Sequence, residues 1–182
     1  IKDAPATNQG GSLPGGIGWY RKTFTLPASS KNKNVSILFD GVYKNSEVWI
    51  NGHYLGKRPY GYVPFSYDLT TFLLPSPKKN VIVVKVDNSQ QPDSRWYSGS
   101  GIYRNVKLLI KNKIAVDDYG IFITTPEVNS ESATVEITTS MTSDFENRQA
   151  FIIIHTIIDS KGSEFVKHKP YKFNFYGPGT AL

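Results

Sequence analysis

The sequence contains no cysteine, which excludes a disulfide framework, a thiol nucleophile and any thiolate metal site. Stability must therefore come from packing. Long apolar runs are also missing, since the longest cluster, Phe151 to Ile154, falls far short of the roughly 18 residues that span a membrane. No membrane partner is expected. Lys and Arg outnumber Asp and Glu by 21 to 15, yet the basic residues are scattered from Lys31 to Lys113 without a block of five or six. A nucleic-acid surface concentrates its charge, so no nucleic-acid partner is expected. The histidines, His53, His155 and His168, lie far apart and none has a second ligand at metal spacing. No metal and no cofactor are expected. The chain opens Ile-Lys-Asp without the charged-then-apolar stretch of a signal peptide, and this start is expected to be a processed or trimmed one. The missing cysteines leave the compartment open, with periplasm or secretion favoured over cytoplasm.

What the chain does have is strand periodicity. Val35, Ile37 and Phe39 alternate with their neighbours, and so do Val48 and Ile50 before Asn51-Gly52, a pair that supplies the two positive φ angles of a tight hairpin turn. Val81 to Val86 is a β-branched run, and Thr134 to Thr139 alternates again. Proline and glycine punctuate at short intervals, and no long amphipathic helix is predicted. The fold class expected is all-β: a jelly-roll β-sandwich followed by a partial immunoglobulin-like β-sandwich. A polar link at Lys111 to Asp118 sets the expected domains at 1–112 and 113–182. The second is short of the roughly 100 residues of an immunoglobulin-like sandwich and is expected to be incomplete. The end of the chain, Val166 to Leu182, follows no evident pattern.

The richest segment for function is Asp93 to Val106, DSRWYSGSGIYRNV. It sets Asp93, Ser94 and Arg95 beside two adjacent aromatics, Trp96 and Tyr97, ahead of a Gly-Ser-Gly turn. Aromatic faces cover the C–H surface of a sugar ring while Arg, Asp and Ser meet its hydroxyls. These five residues are the candidate substrate-binding set; the competing reading is a turn whose rings cap a β-core. Tyr60 and Tyr62, in a proline-bounded loop, are secondary candidates. Trp19, Tyr20, Trp49 and Phe65 lie in or beside strand-like blocks, where they are expected to fill a core or cover a sheet edge. No catalytic residue is expected: Glu47 alternates outward on a strand, and no acid/base pair stands out among the remaining acids.

Four ordered blocks carry a family resemblance: GGIGWYRKTFTLP (Gly15 to Pro27), LFDGVYKNSEVWINGHYLG (Leu38 to Gly56), GYVPFSYDLTTFL (Gly61 to Leu73) and SGSGIYRNVKLL (Ser98 to Leu109). The chain resembles the N-terminal sugar-binding region of glycoside hydrolase family 2, the β-galactosidase-like enzymes, over Gly10 to about Ser160. The resemblance implies two catalytic glutamates on a (β/α)₈ barrel, roughly 5 Å apart for retaining chemistry, and such a barrel needs about 250 residues. The chain alone is thus expected to lack catalysis, with a carbohydrate, a β-galactoside or related glycan, and the barrel of the parent enzyme as its partners. The resemblance also implies that an aspartate six residues before the Gly of the fourth block touches substrate. Here Arg95 stands at that spacing from Gly101, so either Asp93 takes the role or Arg95 replaces it with a cationic donor suited to a different sugar or an acidic one. Two other readings stay open: a free-standing carbohydrate-binding module, and a basic β-domain binding nucleic acid or protein.

Overall fold

A computed structural model describes residues 15–90, 99–167 and 170–181. Its backbone contacts divide the chain into two compact units, Ile1–Lys111 and Asn112–Leu182. Both are built of strands, as the alternation in the sequence requires.

The first unit contains β1 (Gly16–Thr25), β2 (Asn34–Phe39), β3 (Val42–Tyr43), β4 (Ser46–Ile50), β5 (His53–Arg58), β6 (Phe65–Asp68), β7 (Lys79–Asn88), β8 (Gly101–Ile102) and β9 (Val106–Lys111). They form a four-stranded sheet in the order β1-β7-β4-β5, a three-stranded sheet β6-β2-β9 and a short β3-β8 pair. Every pairing is antiparallel, and period-2 side chains therefore put alternate residues on opposite faces. Val48 and Ile50 on β4 stand opposite Val84 and Ile82 on β7. Together with Val86 they pack against Ile37 and Phe39 of β2 and Phe65 of β6. This is the core of a β-sandwich, as expected. The other face of the four-stranded sheet carries Lys85 paired with Glu47 at 3.0 Å, a partly exposed ion pair of the kind worth about 0–1 kcal/mol.

Asn51 and Gly52 have φ of 50° and 86°, the two positive angles that a two-residue hairpin turn between β4 and β5 demands. Asn51 does more than turn. Its Nδ2 donates to Phe72 O at 2.8 Å and to Asn80 Oδ1 at 2.7 Å, while its Oδ1 accepts from Val81 N at 2.8 Å. Asn80, fully buried, accepts in addition from Leu74 N and donates to Leu74 O. A buried amide is tolerable because these bonds satisfy it. The network pins the hairpin tip to the start of β7 and to the short 3₁₀ turn Thr70–Phe72.

Two sequence expectations need revision. Phe65 is buried, but Trp19 is 62% and Tyr20 41% exposed. Trp19 stacks on Trp49 at 5.7 Å between ring centres, and Trp49 touches Tyr54 at 5.4 Å. Trp19 and Lys85 are directly paired across β1 and β7, so the indole shares the outer face with that lysine instead of entering the core. The second revision concerns the polar link at Lys111 to Asp118, most of which is strand.

The second unit contains β10 (Ile114–Val128), β11 (Ala133–Ser143), β12 (Gln149–Ile153), β13 (Thr156–Ile158), β14 (Glu164–Lys167), β15 (Tyr171–Phe175) and β16 (Gly179–Ala181). Its pairings are β10-β11-β16, β12-β15 and β13-β14. Ile114 to Val116 pair with Met141 to Ser143. The Asp117 carboxylate, read from sequence as a linker charge, accepts from the Ser140 hydroxyl at 2.5 Å. Phe151 stacks on Phe173 at 5.8 Å and on Phe175 at 5.3 Å. Phe151 and Phe173, with Ile137, Met141 and Ile153, line an apolar cavity of about 270 Å³.

Candidate functional site

Asp93, Ser94, Arg95, Trp96 and Tyr97 lie outside the described residues. What is described is the frame on either side of them: the end of β7 at Asn88 and the chain from Gly99 into β8. The two sides are joined directly. Asn88, only 3% exposed, donates from Nδ2 to Ser100 Oγ at 2.7 Å.

β8 is held from two further directions. It pairs with β3, Val42 opposite Ile102 and Tyr43 opposite Gly101. From β1, the Tyr20 hydroxyl oxygen accepts the Ile102 N–H at 3.3 Å. Gly101 has φ of 103°, and a Cβ built there would collide with the Tyr20 hydroxyl. Only glycine meets both conditions. A cavity of about 240 Å³ opens at this junction, lined by Gly16, Ile17, Tyr20, Val86, Ser100 and Gly101 among others.

Gly101→Ala is therefore expected to destabilise the first unit by about 2 kcal/mol, the size of a strained backbone position, read as a lowered midpoint in urea. Adding Tyr20→Phe removes the obstructing hydroxyl and should recover part of the loss. Strictly additive effects of the two substitutions would show that the two residues do not meet.

Tyrosines crowd the same end of the sandwich. Past β8, the Tyr103 hydroxyl donates to Gly61 O at 2.8 Å. Tyr62 lies 5.2 Å from Tyr43 and 5.8 Å from Tyr60 between ring centres. Tyr60 and Tyr62 are 63% and 44% exposed. At the foot of the frame, Asp87 accepts from Ser89 Oγ at 2.6 Å and Ser89 N at 3.0 Å. Those two bonds favour the ionised form and hold the Asp87 carboxyl below its ordinary 3.8. Its backbone N–H donates to Lys44 O, and its carbonyl accepts from Asn45 Nδ2, which ties the end of β7 to the β3–β4 connection.

The contacts that Tyr20, Ser100 and Asn88 make at this junction are not evident from the sequence. Tyr20 and Ile102 are separated by 82 positions, a distance that periodicity cannot bridge. The signal that was present is the Gly-Ser-Gly turn itself.

Residues 7–112 match the family model described as "Glycosyl hydrolases family 2, sugar binding domain". A β-galactosidase of Bacteroides ovatus is 45% identical over 163 residues, which are 90% of this chain and 19% of that protein. A protein of Formosa agariphila named putative β-glucuronidase is 51% identical over 128 residues, 70% of this chain and 12% of that protein. Among solved structures, a glycosyl hydrolase family 2 member from Bacteroides cellulosilyticus superimposes with a TM-score of 0.89 at 30% identity, covering all of this chain and 23% of its own. A β-glycosidase from Bacteroides vulgatus gives 0.75 at 43% identity, covering 94% of this chain and 22% of its own. The chain thus spans between an eighth and a fifth of the length of the two curated relatives, 12% and 19%.

Proposed function

This chain belongs to glycoside hydrolase family 2, whose sugar-binding domain it carries, and from that premise we propose that it is the non-catalytic N-terminal region of a β-galactosidase-like glycosidase. In this reading Asp93 to Tyr97 form one edge of a substrate pocket, while the acid/base and nucleophilic glutamates belong to a (β/α)₈ barrel of the parent enzyme. The 113–182 segment is the immunoglobulin-like domain that follows the sugar-binding one.

The observation that carries the reading is the bracing on both sides of Asp93 to Tyr97. Asn88 to Ser100, Tyr20 to Ile102 and β3 to β8 hold the flanks at fixed points. A site gains precision when rigid elements hold its base, and the close approach of Tyr20 to Gly101 fixes one side of this junction. Sugar contact fits the residue types: Trp96 and Tyr97 offer ring faces, and Asp93 and Arg95 offer charge-assisted hydrogen bonds. Of those two, one is the contact to substrate.

Two measurements test the proposal. The 182-residue chain alone is expected to release no nitrophenol from 4-nitrophenyl β-galactoside above the buffer rate; turnover that survives purification would overturn the non-catalytic assignment. Exchanged for the matching region of the Bacteroides ovatus β-galactosidase, the same segment is expected to support hydrolysis that depends on its residues 93–97.

A further inference from the structure

β5 and β6 are edge strands, one of each sheet, with no strand pairing between them. Arg58, the last residue of β5, reaches from one to the other: its guanidinium carbon lies 5.9 Å from the centre of the Phe65 ring and 5.8 Å from that of Tyr67, both on β6. The rings are themselves fixed. Phe65 stacks on buried Phe39 at 5.0 Å and meets Tyr67 edge-on at 5.7 Å. Burial raises the Tyr67 phenol above its ordinary 10.0, against the opposing pull of the Arg58 charge, so this phenol stays neutral and offers the guanidinium no anion.

Beside this stack is a cleft of about 500 Å³, lined by Arg58, Tyr60, Val63, Phe65 and Ser66 together with two prolines. That volume lies within the roughly 300–1,000 Å³ range of small-molecule sites. Among the described residues lining it, Arg58 alone is charged. Among the described residues no carboxylate forms an ion pair with its guanidinium, in contrast to the lysines of Lys85–Glu47 and Lys107–Asp40. A guanidinium braced by two rings keeps its planar fork oriented; one N–H is directed at the Tyr67 hydroxyl, the others face no carboxylate among the described residues, and less freedom is lost when it binds. Tyr60, 63% exposed, supplies a ring wall, and Ser66 a hydroxyl.

We propose that this cleft is a second saccharide site, which takes a sugar bearing a carboxylate. Arg58 receives the carboxylate through two parallel N–H···O bonds, Tyr60 covers the C–H face of the sugar ring, and the Ser66 hydroxyl meets a ring hydroxyl. The site involves none of Asp93 to Tyr97 and goes beyond the function proposed for them.

The test is a ¹H–¹⁵N NMR titration of the 182-residue chain with methyl β-D-glucuronide, methyl β-D-glucoside, glucose 6-sulfate and sodium sulfate. The uronide is expected to move the Arg58, Tyr60 and Ser66 signals saturably at millimolar concentration, with the neutral glucoside at least tenfold weaker. Arg58→Gln should weaken the uronide at least tenfold, and Arg58→Lys should fall between, because it keeps charge and loses the fork. Tyr60→Ala, a change at an exposed ring, should weaken it several-fold and serves if Arg58→Gln does not fold. An Asp93→Ala/Arg95→Ala double variant is expected to retain uronide binding, which separates this site from the pocket proposed above. Equal binding of uronide and glucoside would overturn the proposal. Binding of sulfate as strong as that of the uronide would make the cleft a simple anion site and overturn it too, as would glucose 6-sulfate surpassing the uronide. So would unchanged uronide binding in Arg58→Gln and in Tyr60→Ala, which would leave Arg58 as ring packing only.

Discussion

Phe39→Ala is expected to remove about 3–5 kcal/mol from the stability of the first unit, the usual cost of deleting a fully buried phenyl ring. Phe39 is 1% exposed on the middle strand of the β6-β2-β9 sheet and stacks on Phe65 at 5.0 Å. Neither sheet can collapse into the gap, because β2 is hydrogen-bonded on both sides, to β6 and to β9. Against a total of about 5–15 kcal/mol for a domain, the loss leaves the unit marginal at best. Urea unfolding followed by tyrosine and tryptophan fluorescence reads it, and Phe39→Leu should keep most of the stability. A loss below about 1 kcal/mol would mean that Phe39 does not occupy the centre of the core.

In the Bacteroides ovatus chimera, the second large effect is an unequal response to two neighbouring substitutions. A charge-assisted hydrogen bond to substrate contributes about 1.5–3 kcal/mol, so alanine at the contacting residue should lower kcat/KM about 10- to 100-fold. If Asp93 is the contact, Asp93→Ala meets that figure on an aryl β-galactoside and Arg95→Ala changes little. If Arg95 is the contact, the order reverses and the loss is greater on an aryl β-glucuronide than on the galactoside, since only the acidic sugar engages the cation. Losses under threefold for both variants on both substrates would remove this segment from the pocket. Temperature scans of each chimera exclude a trivial folding defect.

Much of the architecture was written in local pattern. Asn51-Gly52 announced its turn because few residue pairs accept two positive φ angles, and Val48, Ile50 and the Val81–Val86 run announced their strands by alternation. What escaped was set by partners remote in sequence. Trp19 went outward because its cross-strand position is shared with Lys85, a register that no local window contains. The start of β10 looked like a linker because Asp117 and Asp118 are charged, yet the Ser140 hydroxyl provides one of those carboxylates with a donor inside the sheet. At the site, the identities of Asp93 to Tyr97 suggested sugar chemistry at once, and those residues stand outside the described structure. The bracing around them depends on Tyr20, Gly101 and Asn88, whose meeting is tertiary.

The Trp19–Trp49 stack has a practical corollary for observing binding. The chain holds three tryptophans, and two of them sit 5.7 Å apart on one sheet face, close enough to exchange excitation and act as a single chromophore. Trp96 is the third. Phenylalanine at both 19 and 49 would silence the pair and leave one indole, in the very segment assigned to sugar contact, as a sole optical reporter of occupancy.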